Sequence, residues 1–140
     1  MSSQNSSAIA ADLKHKAAFS LMRVIFVLVP LLAGIDKYFN FITDWEKYVS
    51  PALKPFIPVS SKTVMHCAGV VEIGVGITTI CRPRVGASMF AAMLGGILLN
   101  LLTMKKQLHI ASLDICLATF ALVFTLLLPE AEQSHFRAKP

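Results

Sequence analysis

Charge is what this chain has least of. Thirteen Lys and Arg and eight Asp and Glu make up 15% of its 140 residues, where a soluble globular chain carries about 25%. Hydrophobic residues reach 55%. That balance argues against a water-soluble domain, a disordered chain, and a nucleic-acid binder whose basic residues would line an aqueous groove. Cysteine is equally sparse. Cys67, Cys81 and Cys116 stand singly in apolar runs with no C-x-x-C, so neither a disulfide framework nor a zinc site is expected. Also lacking are a Ser-His-Asp set, an HExxH motif, a glycine-rich phosphate loop after a strand, and a His pair that could hold a haem. No catalytic constellation, metal site or resident cofactor is therefore expected.

What is present is a series of long apolar runs. Residues 17–34 carry one charge in eighteen positions, nearly enough at about 1.5 Å per residue to cross a hydrocarbon core of about 30 Å. Residues 63–80, 85–103 and 110–128 are apolar on most faces. The expected fold is all-α: an integral membrane bundle of four antiparallel helices, the turns CRPR and MKKQLH being too short for anything but reversal. Arg23, Pro30 and the lack of an A-x-A pattern argue that the first run is a span and not a cleaved leader.

The flanks differ from the spans. Residues 1–16 are Ser-rich and polar, and residues 129–140 are polar and charged, so both are expected to be mobile. The first connection, 35–62, mixes Tyr38, Phe39, Phe41, Trp45, Tyr48 and Phe56 with charges and prolines, which suits the headgroup level of one membrane face. Loop charges are tied. Lys14, Lys16, Arg82, Arg84, Arg137 and Lys139 oppose Lys37, Lys47, Lys54, Lys62, Lys105 and Lys106. Cytoplasmic termini are favoured by Arg82 and Arg84 in the tightest loop.

Every span carries a group that is costly in hydrocarbon, at roughly 2.5–3.5 kcal/mol for a central charge: Arg23, then His66 and Glu72, then Asn100, then Asp114. Small residues accompany them at helical spacing. Ala68, Glu72 and Gly76 form one line, Ser88, Ala92, Gly96 and Asn100 a second, and Asp114, Ala118, Ala121 and Thr125 a third, so each line is expected to face the bundle. Counting from the helix ends places Glu72 about 14 Å and Arg23 about 20 Å from the face of the first connection, a gap that a long Arg side chain can close as an ion pair. His66, Asn100 and Asp114 lie shallower, and Asp36 and Lys37 emerge at the same face. Asp114 has Lys37 or Lys62 as neutralising partners. Together these groups form an expected interior polar site, although each also has a purely structural reading: helix registry, interhelical hydrogen bonding or an interface pair.

The pattern resembles the DoxX-like group of small four-helix bacterial membrane proteins. The resemblance rests on Arg23, AGIDKYF around Lys37, GVVEIGVGI with Glu72, CRPRVGA, Asn100, and LHIASLDICLA with Asp114; Leu113 stands where the group carries Arg. It implies a bacterial inner-membrane protein acting as a small accessory subunit of a quinone-linked or oxidative-stress redox system. The expectation that follows is a partner subunit whose Arg23 and Glu72 organise a site for a quinone-like ligand, a carboxylate beside an apolar cavity being able to take up a quinol proton. Two alternatives stay open. One is a small-solute or proton-coupled carrier working as a homo-oligomer, with Glu72 and Asp114 passing the proton. The other is a membrane anchor or assembly factor that docks a partner on the first connection.

Overall fold

The computed structural model describes residues 2–53, 55–104 and 108–127; the tail from 128 and the Lys105–Lys106 turn lie outside the described residues. Among the described residues the chain is helical throughout. Helix α1 runs Ser2–Phe39, α2 Ser61–Cys81, α3 Pro83–Leu102 and α4 Leu108–Leu127. Two short 3-10 helices, Trp45–Tyr48 and Pro51–Leu53, occupy the first connection. Three of the four helices are long and apolar enough to cross a membrane, which points to a membrane protein. The apolar stretch of α4, Ile110–Leu126, is shorter than the others.

Helix α1 extends beyond the expected span at both ends. Residues 2–16, read from composition as a mobile segment, are helical, and Lys16 bonds Asp12 one turn away at 2.7 Å. At the other end α1 continues through Asp36 and Lys37 until Asn40, whose φ of 55° is the left-handed conformation that ends many helices. Local signals explain the remaining boundaries. Ser60 caps α2 by accepting from the Thr63 amide, and Pro83, which has no N–H to lose, opens α3 one residue after α2 ends.

Packing between α1 and α2 is backbone against backbone. A Cβ on Gly34 would stand 2.8 Å from the Gly69 carbonyl oxygen, and one on Gly69 2.7 Å from that of Gly34. Further along, Gly76 lies against Leu31 and Val27, and Arg23 reaches Ile80. The core on the other side of α1 is aromatic. Phe26 meets Phe90 at 5.8 Å and Phe124 at 5.1 Å between ring centroids, Val75, Ala87, Leu94 and Ala121 filling the space around them.

The expected small-residue faces hold on α2 and α4 and fail on α3. Glu72, Gly76 and Ala121 are buried, but Ser88, Ala92 and Gly96 are exposed. Helix α3 instead buries Gly86, Ala87, Phe90 and Leu94. Ring volume decides this: a helix that presents Phe90 to Phe26 turns its smaller side chains outward. Outward faces elsewhere carry Leu21, Leu32, Val70, Leu113, Leu122 and Leu126, all exposed, a surface matched to lipid contact.

Candidate functional site

The residues that close the α1–α2 seam also build its polar centre. Lys37 lies three residues, nearly one helical turn, beyond Gly34 and so shares its face; Glu72 lies three beyond Gly69 on the facing helix. Close backbone approach brings the two side chains together. The Lys37 ammonium donates to both Glu72 carboxylate oxygens, at 2.8 and 2.7 Å, and the side chains are only 5% and 4% exposed. Above the ammonium lies the Trp45 ring, its centroid 3.9 Å from Nζ. A carboxylate on one side and an aromatic face on the other replace the water that a buried ammonium has lost.

Asp36 positions that ring. Its carboxylate accepts the Trp45 indole N–H at 2.7 Å and the amides of Phe41 and Ile42 at 2.9 and 3.1 Å, so one buried side chain caps the end of α1 and fixes the return of the chain. Asn40 assists, its side-chain oxygen lying 3.4 Å from the Trp45 amide nitrogen that donates to it.

The expected Arg23–Glu72 ion pair does not form. Glu72 is taken by Lys37, while Arg23 donates to the Ile80 carbonyl at 2.9 Å, about 12 Å further along α2. The reason is the length of α1. A span ending at Gly34 leaves Lys37 outside the bundle and Arg23 as the cation available to Glu72; a helix continuing to Phe39 carries Lys37 inside and places Arg23 level with the last turn of α2. Arg23 and Glu72 thus belong to opposite ends of the molecule.

The other expected site residues divide between the cluster and the connection. Asp114, near the start of α4, feels the charge of Lys37 and acts in turn on Glu72, which puts all three in one electrostatic cluster. Its Oδ2 is buried and has no hydrogen-bond partner among the described residues. His66 stacks on Tyr38 at 4.7 Å, and its backbone carbonyl accepts the Tyr38 hydroxyl at 2.9 Å, one and a half turns from Glu72. Asn100 ties down the first connection by donating to the Tyr48 carbonyl at 2.6 Å and accepting from the Ser50 amide at 3.0 Å. Ser50 is itself buried and bonded to Thr103. Residue types alone did not mark Trp45, Ser50 and Thr103 as site residues; the nearest signal was the aromatic content of the connection.

A groove of about 260 Å³ lies at the opposite end, lined by Arg23, Val24, Val27, Leu28 and Ile80. Among the described residues no group of three or more His, Cys, Asp and Glu is placed to hold a metal ion. No family model, curated protein or solved structure matches the chain.

Proposed function

We propose that this chain is a small multi-pass protein of the bacterial inner membrane, with four antiparallel spans and both termini in the cytoplasm. It works as an accessory subunit of a quinone-linked or oxidative-stress redox system, the role that its resemblance to the DoxX-like group implies. The supporting observation is the cluster of Lys37, Glu72 and Asp114, in which one ammonium faces two carboxylates and a buried Asp114 oxygen lacks a partner. One cation balances one carboxylate, and the second is a proton-accepting group held at membrane depth. Its task is to take a proton that a quinol gives up on oxidation, the electrons passing to the partner redox protein. The Trp45 roof and the bonds of Asp36 keep this group from being hydrated by bulk water.

The test is thermal unfolding of the detergent-purified protein with and without a quinone analogue, together with complementation of a deletion strain. The expected result is a higher Tm with the analogue in the wild type, lost in Asp114→Asn together with complementation. An unchanged Tm in the wild type, with Asp114→Asn complementing fully, sinks the proposal.

A further inference from the structure

The Arg23 groove plays no part in the cluster, and its composition asks for a different ligand. Its walls are the exposed faces of Val24 and Leu28 on α1, Val27 behind them, and Ile80 at the end of α2. Its one charged lining residue is Arg23, held in place by its bond to the Ile80 carbonyl. Ile80 is in the last turn of α2, and a 21-residue helix spans about 30 Å, so this end of the groove lies at the membrane face opposite the first connection.

That face is cationic. Arg82, fully exposed, follows Ile80 by two residues, and Arg84 lies one step further, at the start of α3. No side chain caps the α3 N-terminus, which leaves the positive end of its backbone dipole between the two guanidinium groups. Among the described residues the acidic side chain on this side of the molecule is Asp12, already bonded to Lys16. An apolar trough running inward from a set of arginines at headgroup depth matches one molecule in shape and charge: a lipid with an anionic phosphate head and an acyl chain.

We infer that the groove is a binding site for an anionic phospholipid, with the phosphate against Arg23 and Arg82 and the upper acyl chain along Val24, Val27, Leu28 and Ile80. The inference rests on the membrane reading above but not on the redox role. Occupancy joins α1 to the α2–α3 turn from outside, at the end of the α1–α2 seam that lacks the Lys37–Glu72 pair.

Purified full-length protein in a neutral detergent is titrated with phosphatidylglycerol, phosphatidylcholine or inorganic phosphate, and the Tm is recorded. Phosphatidylglycerol is expected to raise the Tm at concentrations where the other two do not. Arg23→Gln and Arg82→Gln should each lower the apparent affinity about fivefold, the effect of one basic residue near an anionic surface. Val24→Trp fills the trough from an exposed position; it should leave the lipid-free Tm unchanged and abolish the phosphatidylglycerol response. Equal responses to the two lipids, an equal response to inorganic phosphate, or a response that survives Val24→Trp would each overturn the site. Carbonate extraction of membranes from the expressing cells separates the two levels: release of the protein overturns the membrane reading itself, whereas retention without a lipid preference overturns the groove alone.

Discussion

The two ends of the α1–α2 seam are held by different physics. Under the first connection, Gly34 and Gly69 bring the backbones together, Lys37 and Glu72 pair at 2.7 Å, and Asp36, Trp45, Asn100 and Ser50 each use directional bonds to hold one loop. Towards the other end the same helix α1 packs Phe26 against Phe90 and Phe124, and contact depends on volume and ring geometry. Directional bonds fail singly: removing one partner leaves the other buried and unsatisfied. Ring packing fails by degrees, since neighbours relax into part of the space. The polar end is therefore expected to be brittle and the aromatic end tolerant, and substitution can test that contrast.

The largest effect is expected from Lys37→Met. It strands the Glu72 carboxylate in a buried site and should destabilise the protein by about 3–5 kcal/mol, measured by unfolding in detergent or mixed micelles. The double variant Lys37→Met with Glu72→Met should recover most of that loss, because two well-packed apolar side chains replace a pair with a large desolvation cost. A double variant as unstable as the single one would mean that the pair itself, and not the stranded charge, stabilises the fold.

Phe90→Ala tests the other end. In lipid the replaced side chain has no water to avoid, so lost packing and the cavity left behind carry most of the penalty, about 2–3 kcal/mol, at the low end of the range for soluble cores. Phe90→Leu should restore about half of it. If Phe90→Ala proved more harmful than Lys37→Met, the contrast between brittle and tolerant ends would be reversed.

Much of this layout could be read from residue types, and the part that could not has a physical cause. Helices and turns followed from apolar run length, Pro83 and the short CRPR link, and Glu72, Lys37 and Asp114 stood out as ionisable groups in or beside apolar runs. The pairing depended on where α1 ends. Hydropathy falls at Asp36–Lys37, which reads as the membrane edge, yet the helix continues because Asp36 satisfies the Phe41 and Ile42 amides and Lys37 finds Glu72. Asn100 is visible as a polar residue in a span, but its partners are the backbone groups of Tyr48 and Ser50, set by the path of a loop that periodicity does not describe. The inward face of α3 was missed for a related reason: small residues mark where helices can approach, and Phe90 marks where volume is needed.

Gly34→Ala addresses how the seam feeds the cluster. Its Cβ would meet the Gly69 carbonyl oxygen at 2.8 Å and Ile73 Cγ1 at 2.9 Å, so α1 and α2 must separate by a few tenths of an ångström. Overpacking of this kind costs about 1–3 kcal/mol. The same shift lengthens the Lys37–Glu72 contact, so Gly34→Ala and Lys37→Met together should destabilise by less than the sum of their separate effects. Strict additivity would mean that the glycine contact and the ion pair are independent.

Trp45→Phe makes the smallest change and isolates the roof from the pair. Phenylalanine keeps an aromatic face for the Lys37 ammonium but has no indole N–H for Asp36, whose carboxylate still accepts from Phe41 and Ile42. Loss of one charge-assisted bond, with the acceptor still partly satisfied, should cost about 1–2 kcal/mol. Trp45→Ala removes the cation–π contact as well and should add roughly 0.5–2 kcal/mol. Because Trp45 is the chain's one tryptophan, its emission reports the same contact directly. In Asp36→Asn the indole keeps a neutral acceptor and the emission should shift only slightly, whereas in Lys37→Met loss of the ammonium beneath the ring should change it markedly. If emission responded to Asp36→Asn alone, the ring would be positioned by its N–H bond and Lys37 would lie beneath it without contributing, reducing the polar end to the ion pair and its glycines.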